Sequence, residues 1–275
     1  MNLALFDFSL LGDNPLFALF IAMLAVLAVA ISKSGFGGAL GALSAPIMLF
    51  AFQPTVALSI LIPIFILIDF WVVWQWRKQG VRRIILWMVI WGTIGQLIGW
   101  ALLRLGTIDD SLILALIGLI AVLTSIRYAW QQLTHSHKGL NLKKQIRSYR
   151  QKIAQRASIW CGLSGFTSFV SLTGGIPAQI YLLPLGLPRQ LFVATMAWYF
   201  LFINLFKLPF FLDLNLLNKA SLSISFLMVI FVPIGVFLGR WLNKVMSDKL
   251  FYYIAYSCLF VLGCQLLYRY YAGSI

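Results

Sequence analysis

"SKSGFGGALGALSAP", residues 32–46, lies between two apolar runs and sets four glycines and a closing proline where a membrane-crossing helix would be easy to build. Glycine allows unusual dihedrals and close approach of the backbone. In hydrocarbon, non-helical chain survives only where protein buries it or where it lines a cavity. The surroundings are of that kind: of 275 residues 61% are hydrophobic and only 10% charged, with 22 phenylalanines. That is far from a soluble domain and implies an all-α polytopic membrane protein.

Outward from this stretch, apolar segments fall at 16–32, 36–52, 54–76, 84–103 and 111–130, then at 158–173, 175–187, 188–210, 220–239 and 250–268. Most approach the roughly 20 residues that span a bilayer. The second and seventh are shorter and rich in Gly, Ser or Pro, and are expected to be re-entrant or broken. About eight to ten transmembrane or re-entrant helices result.

Seven acids, all aspartates, face 21 basic residues. Most of the basic charge lies between apolar runs, where it is a topology signal rather than a nucleic-acid footprint. Arg77, Lys78, Arg82 and Arg83 form one loop, and Arg127 through Arg156 a second. Threading ten segments from an external N-terminus puts seventeen basic residues inside and leaves Arg104, Lys207, Lys219 and Arg269 outside. Asp7 and Asp13 precede the first run and no basic residue comes before Lys33, so that run is expected to stay in the mature protein. Cys161, Cys258 and Cys264 lie in apolar segments without metal-ligand spacing and read as small core residues. No metal or cofactor is expected.

Features of the first half recur in the second at an offset of 134 to 140 residues: Pro54 with Pro188, Gly95 and Gly99 with Gly235 and Gly239, "IDDSL" at 108 with "MSDKL" at 246. With five segments per half, the second copy would lie inverted in the membrane, as in many secondary transporters whose substrates bind at discontinuous helices. The division is a first repeat at 1–133, a basic cytoplasmic linker at 134–157 and a second repeat at 158–275. In the linker, Leu142, Ile146, Tyr149 and Ile153 recur at helical spacing, so it is either an amphipathic helix on the inner leaflet or a solvated topology signal.

The break at 32–46 supplies Lys33, Ser34, Gly35, Gly37, Gly38, Gly41 and Ser44. Its counterpart, "SGFTSFVSLTGGIPAQ" at 164–179, supplies Thr167, Ser168, Ser171, Thr173, Gly174, Gly175 and Gln179. Two such interruptions in corresponding positions point to a transport site, and hydroxyls beside helix N-termini favour an anion. The competing reading is close helix packing through small residues. Lys33 could be the charge of that site or could snorkel to the inner edge. Asp69, an acid well inside a segment, is a candidate for proton coupling, with Asn204 as its approximate repeat mate; a structural partner for a hydroxyl or lysine is the alternative.

The string "GLSG", Gly162–Gly165, also occurs in intramembrane serine proteases, but a serine nucleophile needs a base. The two histidines, His135 and His137, fall in the linker. Enzymatic function is therefore not expected.

"SGFGGALGALSAP", followed by "QPTVALSILIP" and echoed by "TGGIPAQIYLLPLGLPRQLFVATMA", resembles the sulfite exporter TauE/SafE family of membrane permeases, over residues 18 to 268. The resemblance implies a multi-pass transporter of the bacterial inner membrane that moves sulfite, thiosulfate or organosulfonates, coupled to an ion gradient. The family's glycine-rich turns would fall on Gly35 to Gly41 and on Thr173 to Pro177. The second departs from the family's longer glycine run. Alternatives are a permease for another organic anion, or a membrane assembly factor whose small residues serve helix contacts alone.

Overall fold

The computed structural model describes residues 9–11, 14–38, 44–48, 50–77, 79–105, 142–214 and 217–272, with short helical pieces between 118 and 130. The described elements are all helical: α1 (Pro15–Phe36), α2 (Ser44–Met48), α3 (Pro54–Trp76), α4 (Arg82–Leu105), α5 (Leu142–Ser171), α6 (Gly175–Leu182), α7 (Arg189–Asp213), α8 (Lys219–Met228), α9 (Phe231–Val245) and α10 (Asp248–Tyr271). The chain is an all-α polytopic membrane protein. Five of these helices are long and apolar enough to cross a bilayer, or six if α8 and α9 form one span across their 49° bend.

Helix ends follow local chemistry. Pro15 and Pro54 occupy first-turn positions, where a missing N–H costs nothing. Asn218 and Ser221 cap α8 reciprocally, and the Ser247 hydroxyl accepts from Leu250 N–H at the start of α10. Pro233, in the first turn of α9, cannot donate back toward α8, which accounts for the break within the expected 220–239 segment. The short second and seventh segments appear as α2 and α6, of five and eight residues. Helix α5 runs for 30 residues, from within the expected linker into the first segment of the second half.

Polarity is distributed inside out. Phe17, Phe20, Phe70, Trp74, Phe226, Phe237 and Trp241 face outward, whereas Lys33, Asp69, Gln96, Gln179, Asn204, Lys207 and Asn243 are buried. An apolar surface over a partly polar core is what lipid as solvent selects. Glycines set the closest helix contacts. A Cβ at Gly95 would overlap the Gly162 carbonyl oxygen, and one at Gly165 that of Gly92, so α4 and α5 pack backbone to backbone. In the same way Gly35 of α1 lies against Gly239 of α9, where an added Cβ would stand 2.8 Å from the carbonyl oxygen, and Gly235 lies against Ala30. Between these two pairs run α3 and α7, which carry the buried acid and amide.

Candidate functional site

Helix α1 ends one turn after Lys33. Gly37 adopts a left-handed conformation (φ 63°), and the N–H groups of Gly37 and Gly38 both return to the Ser32 carbonyl. Helix α5 ends in the same way. Leu172 is left-handed (φ 58°), and Thr173 N–H returns to the Thr167 carbonyl, six residues back, as Gly38 does to Ser32. A leucine in this region is strained, whereas a glycine is not. The two stretches singled out by composition thus share one backbone design.

They also meet. A Cβ on Gly175 would stand 2.9 Å from the Gly38 carbonyl oxygen, and Gly38 packs on the stem of Lys33 and on Phe200. Gly174 sits on Ser164 and Ser168 of α5 with no room for a side chain.

A chain of buried polar contacts runs beside these breaks. Lys33 Nζ donates to both carboxylate oxygens of Asp69 at 2.7 Å. Asn204 Nδ2 donates to Asp69 Oδ2 at 2.6 Å. Lys207 Nζ donates to the Ser168 carbonyl at 2.6 Å and hydroxyl at 3.0 Å, with Asn204 Oδ1 at 3.5 Å. Helices α1, α3, α7 and α5 are joined in that order. Phe65 lies 4.4 Å from the Lys33 ammonium and Phe211 5.8 Å from that of Lys207, so rings line the chain where carboxylates do not. Asp69 and Asn204 are 135 residues apart, the separation that also relates Lys33 to Ser168 and Gly37 to Leu172.

The expected site residues sort into groups. Lys33, Gly38, Ser168, Gly174 and Gly175 come together around this chain. Lys33 does not snorkel; it is 6% exposed and paired with Asp69. Gln179 is buried on α6, and its amide nitrogen has no partner among the described residues. Thr173 is buried at the second break, and the Thr167 hydroxyl returns to the Leu163 carbonyl. Ser34 bonds back to the Ala30 carbonyl and Gly35 faces α9, so these two serve packing here. Gly37 turns the chain against Phe192, and Ser44 is buried in α2. Gly41 and the side chain of Ser171 lie outside the described residues, as do His135 and His137.

Lys207 corrects the sequence reading. Expected at an outer segment end, it is fully buried and joins Asn204 to Ser168 at the far end of the polar chain. The available signal was its i, i+3 spacing from Asn204, which puts both on one face of α7. Tyr199 and Asn243 were also missed. Tyr199 donates to the Ser164 hydroxyl, which itself donates to the Gly174 carbonyl, fixing the serine of the "GLSG" string in a structural role. Asn243 of α9 satisfies the Gly35 carbonyl in the last turn of α1. At the chain's edge, Arg189 pairs with Asp248 and donates to the Asn243 carbonyl. A separate cavity of about 530 Å³ opens beside the α3–α4 loop, lined by Arg77, Arg82, Trp198 and Phe202. None of the break residues reaches it.

A family model described as "Sulfite exporter TauE/SafE" matches residues 22–266. No curated protein and no solved structure matches the chain.

Proposed function

The chain belongs to the Sulfite exporter TauE/SafE family, and from that premise we propose that it is a secondary transporter of a small sulfur-containing oxyanion such as sulfite, thiosulfate or an organosulfonate. The observation that carries the proposal is the meeting of two glycine-opened helix ends, Gly38 against Gly175, beside the buried chain from Lys33 to Lys207. Opened backbone at membrane depth and buried ionised groups are both costly. Their coincidence at one place fits a path for a charged solute better than it fits helix packing alone.

The equal spacing of Lys33 and Ser168, Gly37 and Leu172, and Asp69 and Asn204 supports two inverted repeats, with the site on the axis between them. In this reading Asp69 is the proton-coupling group. Its repeat mate, Asn204, has no titratable proton, so coupling is confined to one half. The setting is the bacterial inner membrane, and the gradient drives the anion through the Lys33 to Lys207 region.

Flux of labelled sulfite, thiosulfate and isethionate in proteoliposomes tests this reading. Saturable flux of at least one of them, stimulated by a pH gradient, is the expected result. Asp69→Asn should remove the stimulation. A wild-type protein that moves none of these anions, or another organic anion, would leave only the assembly-factor alternative.

A further inference from the structure

The buried charges do not balance. Among the described residues the core holds two ammonium groups, Lys33 and Lys207, and one carboxylate, Asp69; the other described acids, Asp213 and Asp248, are about half exposed. Lys33 grips both oxygens of Asp69. Lys207 donates only to uncharged acceptors, the carbonyl and hydroxyl of Ser168 and the amide oxygen of Asn204, and Asn204 separates it from Asp69. Neutral dipoles orient such a group without cancelling its charge, and an uncompensated buried ion is expensive.

We propose that Lys207 supplies the charge that binds the transported anion, at the second break, and that the site takes one negative charge with Asp69 ionised and two when Asp69 carries a proton. The proposal rests on the transport reading above. The position suits it. Ser168, which holds Lys207, backs directly onto Gly174, next to the opening of α6. At the start of α6 the Ile176 N–H already returns to the Thr173 carbonyl and Pro177 has no N–H, so the attraction for an anion rests on Lys207 rather than on the helix end. On the same short helix, Gln179 is 1% exposed and its amide nitrogen donates to nothing among the described residues. The ligand class is a small oxyanion whose charge sits on one headgroup, a sulfonate as monoanion or thiosulfate as dianion. The charged groups facing Asp69 are Lys33 from α1 and, across Asn204, Lys207 from α7. A proton on Asp69 frees Lys33 from its counter-ion, and the surplus rises from one charge to two.

The test uses purified full-length protein in detergent, with thermal unfolding followed against thiosulfate, isethionate and chloride at matched ionic strength. A ligand that binds the folded state raises the melting temperature saturably. Expected is a saturable rise for wild type and at least a tenfold weaker response for Lys207→Met, while Lys207→Arg retains part of it. Lys207→Met also takes the donor away from the Ser168 carbonyl, so the anion response of each variant is read against its own anion-free melting temperature. Should that variant not fold, Lys207→Gln, which keeps an uncharged N–H donor on α7, makes the same comparison. Thiosulfate affinity should rise by up to about tenfold per unit fall in pH, and Asp69→Asn should remove that slope. Wild-type anion response in a Lys207 variant without charge overturns the assignment while leaving transport intact. A pH-independent thiosulfate affinity overturns the charge count. Absence of both binding and flux in the wild type instead overturns the transport reading.

Discussion

Without Lys33, Asp69 would keep only an amide donor, and without Asp69, the Lys33 ammonium would face the rings of Phe65 and Phe200. Stranding one member of a buried ion pair typically costs about 3–5 kcal/mol, whereas replacing both members with apolar groups is often neutral. Lys33→Met and Asp69→Leu should each lower the unfolding midpoint in detergent, and the double variant should recover most of the loss. Additive losses would show that the pair is not coupled. Asp69 was legible in the sequence because an acid inside an apolar run has few innocent explanations. Lys207 was not. A lysine near the end of a run has the same hydropathy whether it points to water or to the core, and the packing of α7 against α5 decides which.

Helix contacts here depend on bare backbone. Gly95→Ala or Gly165→Ala would drive a methyl into the carbonyl of the facing helix, forcing α4 and α5 apart. A loss of about 1–3 kcal/mol is expected, in line with overpacking of a filled interior, and would be read as a lower melting temperature. Gly38→Leu and Gly175→Leu act differently. Gly38 needs a positive φ (89°) and Gly175 abuts Gly38, so both should abolish flux in proteoliposomes while the protein still inserts. Wild-type flux from either would show that the two breaks do not form the path. Glycine-rich composition alone could not separate these roles. Both occur in the same fifteen-residue stretch, where Gly35, in the last turn of α1, faces α9 and Gly38, beyond the left-handed turn at Gly37, faces α6.

Across the whole molecule, the apolar exterior and the basic loops together predict how the chain threads the bilayer. With ten segments and an external N-terminus, reporters fused to either end should both report the external side, and a cytoplasmic N-terminus would overturn the threading. Burial of Lys33 and Lys207 removes one basic residue from each side of the charge tally, so the bias toward the inside stands. The contacts also cross the halves: α1 packs on α9, and α5 on α4. Each half therefore completes the other, and a chain cut at the linker should give two fragments that are stable only when expressed together, measured by their protease resistance in membranes.

The sequence by itself determined the membrane class, the two glycine-rich breaks and the family, because hydropathy, glycine and proline act over a few neighbouring residues. It also marked Asp69. Only the tertiary structure decided that the two breaks touch, that Lys33 is neutralised, and that Lys207 is the buried charge left over. Those outcomes depend on which faces of α1, α3, α5 and α7 turn toward one another, a relation between residues such as Asp69 and Asn204, 135 positions apart, that no local pattern encodes.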